Sequence, residues 1–101
     1  MAAVITLAEA KRQLKIRDTD HDLEVQAALT DADAVIRAYL NDMNDPLWDD
    51  TTAPAPVKRA TLLLTSQLYD NPGDAGMAEY EDTWSAIRNV LASWGRTPTL
   101  A

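Results

Sequence analysis

The chain has 101 residues, 16 acidic against 9 basic side chains, a formal net charge of −7 and no cysteine. That length supports one domain over residues 1–101 with a single core, and it leaves apolar surface that self-association would help to bury. The negative charge argues against a nucleic-acid-binding surface, which must neutralise phosphates, and the missing cysteines exclude disulfides, thiolate catalysis and thiolate metal sites.

The start, Met1 to Leu7, has no basic n-region, and no window reaches the roughly 20 apolar residues of a membrane span, so a soluble, unexported chain with no membrane contact is expected. Val4 and Ile5 alone suggest a short extended piece. Thr6-Leu7-Ala8-Glu9 fits a capping box, in which the threonine oxygen accepts from a backbone N–H three residues on and the glutamate reaches back. It opens a helix predicted over 7–15, with Leu7, Ala10 and Leu14 on its apolar face. Lys11, Arg12, Lys15 and Arg17 load its later part, where positive charge complements the helix dipole.

Asp18-Thr19-Asp20-His21-Asp22-Leu23-Glu24 offers caps and first-turn acids to a long helix predicted over 20–41. Val25, Leu29, Ala32, Ile36 and Tyr39 or Leu40 form its apolar stripe, and Ala28 and Val35 widen it. Glu24, Asp31 and Asp33 fall opposite, toward water or a partner. The alternating aspartates invite a calcium-loop reading, which fails because Leu23 stands where the sharp turn needs glycine and Leu29 where a bidentate glutamate is needed.

Residues 42–55, DMNDPLWDDTTAPA, read as a long surface loop of turn formers. Its Trp48 either folds back as a lid over the core or projects into a neighbouring subunit. The helix predicted over 56–70 is the most apolar in the chain: Leu62, Leu63 and Leu64, with Val57, Ala60, Leu68 and Tyr69, point almost all the way round. Pro56 suits its first position, and Asn71-Pro72-Gly73 stops it. The last helix, predicted over 78–94, spaces Tyr80, Trp84, Ile87, Leu91 and Trp94 by four, three, four and three. Gly95 and Pro98 forbid its continuation and leave an irregular tail over 95–101. The expected fold is all-α, a small bundle of four helices with a long loop between the second and third.

No active site emerges. His21 is the only histidine and sits in an acidic helix entrance, the serines lack an elbow motif, and the carboxylates are too many and too scattered to assign as acid and base. No cofactor motif and no metal-ligand spacing is present, and the glycine-bearing turn at 73–76 is not followed by the Gly-Lys-Ser/Thr of a phosphate loop.

In order, the chain offers Ile5-Thr6-Leu7-x-Glu9-Ala10-Lys11-x-x-Leu14-Lys15-Ile16, an acidic Asp18-x-Asp20-x-Asp22 entry, a helix closing near Tyr39-Leu40, and a loop with a tryptophan. Pro56-Val57-Lys58-x-Ala60-x-Leu62-Leu63-Leu64 then runs to Leu68-Tyr69-Asp70-Asn71, and Leu91-x-x-Trp94-x-Arg96 closes the last helix. This series resembles the small head-tail connector (adaptor) proteins of tailed bacteriophages and prophages. Relatives often place an arginine directly after the final aromatic; here Gly95 intervenes before Arg96.

The resemblance implies a non-enzymatic helical bundle in the virion neck, made in the host cytoplasm and assembled as a homo-oligomeric ring of about twelve subunits. Such a ring would dock on the portal protein, meet a downstream neck or tail-completion protein, and continue the DNA channel without specific DNA binding. Partner contacts are expected at Trp48, Arg96, Pro98 and Leu100. The rival reading is a free-standing acidic helical regulator, an antitoxin-like partner or DNA mimic, whose size and charge fit equally well.

Overall fold

A computed structural model describes residues 3–41, 44–70 and 81–92. Four helices are present among the described residues: α1 (Leu7–Leu14), α2 (Asp22–Leu40), α3 (Ala55–Asp70) and α4 (Glu81–Ala92). No strand occurs among the described residues; Val4 and Ile5 form a bend and are buried at 1% and 2% exposure. The predicted bundle is therefore present, with the second connection running over residues 41–54. Tyr80, Trp94 and the proline-glycine turn at 72–73 lie outside the described residues.

The capping box forms as the sequence predicts: Glu9 N–H donates to Thr6 Oγ1 at 3.1 Å, and Thr6 N–H donates to Glu9 Oε1 at 2.9 Å. The other end of α1 closes on Lys15 in the left-handed region, φ 62° and ψ 36°. Lys15 N–H bonds Arg12 O at 3.2 Å and Ile16 N–H bonds Lys11 O at 2.9 Å, the two bonds of a Schellman ending, with lysine where glycine is usual.

α3 touches every other helix, α2 and α4 most extensively. Its buried residues are Val57, Ala60, Thr61, Leu64 and Thr65, spaced by three, one, three and one. Around that stripe Leu62, Leu63, Leu68 and Tyr69 pack half-buried against the core, so apolar contact extends well round the helix, while of the three leucines only Leu64 is fully covered, at 2% exposure. Two of the stripe positions are threonines. Their hydroxyls are satisfied inside the helix, Thr61 Oγ1 donating to Val57 O at 2.9 Å and Thr65 Oγ1 to Thr61 O at 2.7 Å, so burial leaves no polar group stranded.

α2 contributes Val25, Ala28, Leu29, Ala32, Ile36 and Leu40 to the same core. Val35 does not widen the stripe; at 41% exposure it faces solvent. α4 adds Ile87 and Leu91, both fully buried, and the Trp84 ring lies 5.2 Å from Tyr39 at a 52° tilt. Such an aromatic pair contributes about 0.5–1.5 kcal/mol beyond its buried area.

Candidate functional site

The most elaborate polar construction is where α2 hands over to the 41–54 connection. Asp33 and Arg37 stand four residues apart on α2, one turn and a neighbour on the same face. Arg37 is buried to 7% exposure, and its Nε donates to Asp33 Oδ2 at 3.0 Å. The rest of the guanidinium reaches over the loop: Nη1 donates to Asn44 Oδ1 at 3.2 Å and to Asp45 O at 2.9 Å, and Nη2 donates to Trp48 O at 3.0 Å. The other carboxylate oxygen of Asp33 accepts the Val4 N–H at 3.0 Å. A planar fork of donors suits this task, because one buried charge satisfies several carbonyls at fixed angles. Asp33 was expected to face water or a partner; it is instead largely buried, while Glu24 and Asp31 are exposed.

Further along, Asp49 Oδ1 accepts from Thr51 N–H at 2.8 Å, Thr51 Oγ1 at 2.7 Å, Thr52 N–H at 3.0 Å and Thr52 Oγ1 at 3.1 Å. The Thr51 hydroxyl first, then the Thr51 and Thr52 amides, stabilise the ionised carboxylate and bring its pKa down to about 2. Lys58 on α3 ties the loop end to α1, donating to Asp50 O at 2.7 Å and meeting Glu9 Oε2 at 2.8 Å. Burial works to raise the Glu9 pKa, but the Lys58 hydrogen bond, the Thr6 amide and the Lys58 charge outweigh it and leave Glu9 below its ordinary value.

Trp48 is half-buried and packed against the core. Its neighbour Leu47 does the opposite and is 85% exposed. Arg96, Pro98 and Leu100, the other expected contacts, lie outside the described residues. The Asp33–Arg37 clasp was not singled out in the sequence, although opposite charges at i and i+4 beside the Ile36 and Leu40 stripe were the available signal.

A second feature lies on α1. Leu7 and Ile16 floor a groove of about 640 Å³, rimmed by Lys11, Arg12, Lys15 and Arg17. Lys11 Nζ sits 2.8 Å from Asp22 Oδ1, an ion pair by distance without directed hydrogen-bond geometry, while Arg12, Lys15 and Arg17 are exposed. His21 precedes α2 without a side-chain cap, its Nδ1 3.7 Å from Glu24 Oε2. Among the described residues no three His, Asp or Glu side chains are grouped to hold a metal ion, and no helix is long and apolar enough to cross a membrane. What the arrangement can do is present rigid surfaces.

One family model, that of the phage gp6-like head-tail connector protein, matches residues 4–94. No curated protein and no solved structure matches the chain.

Proposed function

Since the chain belongs to the phage gp6-like head-tail connector family, a structural and not an enzymatic family, it is a component of the phage head-tail junction, and we propose that it is the adaptor ring joining the portal vertex to the next neck or tail protein. The ring would hold about twelve copies in a heterologous cyclic contact. The family match over 4–94 carries this reading, because it covers every helix of the bundle. The net charge of −7 supports it further: a negative lining repels DNA phosphates and lets the genome pass without adhering. The free-standing acidic regulator has no observation of its own in its favour. Light scattering and negative-stain images across a concentration series, with and without portal, test the proposal. Closed rings on the portal are expected; twofold or linear assemblies alone would overturn it.

Attachment is assigned to the segment after Gly95, where Arg96 offers a charge, Pro98 limits the entropy lost on ordering, and Leu100 offers an apolar anchor. Each tail binds weakly; about twelve on one ring bind strongly through effective concentration. Truncation after Trp94 should leave the circular dichroism unchanged while portal binding falls at least tenfold. Full binding by the truncated chain would move attachment to the helix faces or the 41–54 loop.

A further inference from the structure

Leu47 is 85% exposed, and a lone exposed leucine on a protein surface ordinarily needs no explanation. This one is held with unusual care. The carbonyls on either side of it, Asp45 O and Trp48 O, are both gripped by the buried Arg37, and its own N–H donates to Asp45 Oδ1 at 2.9 Å. Trp48 beneath it is packed on the core, so the loop presents Leu47 as a preformed knob that loses little freedom on docking. Asp45, Asp49 and Asp50 surround it in sequence, and Asp49 is ionised down to about pH 2.

The α1 groove is the reverse of this knob. Its floor is apolar, Leu7 and Ile16, and its free rim, Arg12, Lys15 and Arg17, is basic in a chain of net charge −7. The two features are different surfaces of the chain, although Lys58 links Asp50 O in the knob's loop to Glu9 on α1. Lys11 beside Asp22 and Val4 beside Asp33 show that α1 runs antiparallel to α2, which puts the basic rim at the N-terminal end of α2. Arg37, which holds the knob, is 15 residues further along α2 than Asp22, or about 22 Å at 1.5 Å per residue.

We infer that Leu47 of one copy docks in the α1 groove of the next, with Asp45 and Asp50 facing Arg12, Lys15 and Arg17. Because knob and groove are different surfaces, the contact is head-to-tail, the kind that generates a cyclic ring from identical chains. The inference deepens the proposed ring by naming its subunit contact, and it rests on that reading. The contact is part apolar and part electrostatic, so salt weakens it without abolishing it.

The native chain has no cysteine, which makes the test direct. Pro46→Cys, beside the knob, and Ala8→Cys, on the groove, are combined in one full-length chain and oxidised mildly, beside each single variant; both positions are exposed, and Leu47 and the basic rim stay in place. The double variant should give a ladder of disulfide-linked species climbing from dimer to closed ring, and each single variant nothing beyond dimer. Raising salt from about 0.05 to about 0.5 M should lower the cross-linked yield several-fold. A ladder of open polymers that never closes would uphold the contact and remove the ring. Rings seen by microscopy without cross-linking would uphold the ring and overturn the contact. A double variant that stops at dimer would show a twofold contact and also overturn it. Loss of portal binding in Arg12→Glu/Lys15→Glu, with no cross-link in the double cysteine chain, would give the groove to the portal instead and overturn it too.

Discussion

The two connections around α2 share aspartate as a turn former and differ in construction. Residues 15–21 and 41–54 are both rich in aspartate, yet the first is held only by short-range bonds. Lys15 and Ile16 close α1, Asp20 N–H donates to Asp18 Oδ1 at 3.1 Å, Asp22 N–H donates to Thr19 O at 3.3 Å, and residues 17–21 are exposed. The second is gripped from two helices, by Arg37 on α2 and Lys58 on α3, and sends Trp48 and Ala53 into the core. Aspartate content marks a turn; whether that turn is part of the core depends on a cation supplied from elsewhere.

Breaking the grip should have the largest effect. Arg37→Leu strands Asp33 and the Asp45 and Trp48 carbonyls, and removing one partner of a buried pair costs about 3–5 kcal/mol. Against the 5–15 kcal/mol typical of a domain, that is enough to shift the urea midpoint strongly. Adding Asp33→Leu should return part of the loss, because the orphaned charge goes with it. Simple additivity in the double variant would mean that the two side chains do not act together. Trp48→Ala is next, at about 2 kcal/mol, less than a fully buried tryptophan because the ring is only half-covered. An unchanged urea midpoint would show that the indole does not pack on the core in solution.

The first connection should respond with the other sign. Lys15 occupies a left-handed conformation that glycine adopts freely, so Lys15→Gly should stabilise the chain by about 1 kcal/mol. A loss of stability there would show that the lysine side chain contributes more than its backbone costs. Smallest in global terms is the titration of Asp49. Its folded pKa, about 2, lies below the ordinary 3.8, so its contribution is complete above about pH 4 and is lost as pH falls toward 2. NMR titration of the Thr51 and Thr52 amides should give a midpoint near 2. A midpoint near 4 would mean that the threonine clasp does not form.

The helices were legible because periodicity and caps are local. Thr6 and Glu9 specify the start of α1 within four residues, and Val25, Leu29, Ala32, Ile36 and Leu40 identify a buried face without reference to what covers it. Errors fell where coverage depends on a neighbour. Val35 is as apolar as Leu64, but only a residue facing another helix becomes buried, and spacing alone does not say how far round the covered arc extends. Asp33 and Arg37 were legible only as opposite charges at i and i+4; what they hold was not, because the carbonyls that Arg37 satisfies are 8 and 11 residues away. Trp48 stood out as an indole among turn formers, but nothing in the sequence marked the Arg37 grip on its carbonyl.

The bidentate use of Asp33 joins events that the sequence keeps 40 residues apart. One oxygen holds the Val4 amide and the other holds the guanidinium that closes the loop, so freeing either side leaves a charged oxygen without its donor and weakens the other. Residues 3–5 and 44–48 are therefore expected to open together, which hydrogen exchange at Val4, measured with and without Arg37→Leu, would check. Anything that seizes the Leu47 loop in its closed form slows exchange at the far N-terminal segment, and anything that pries the loop away makes the buried Val4 and Ile5 available to solvent.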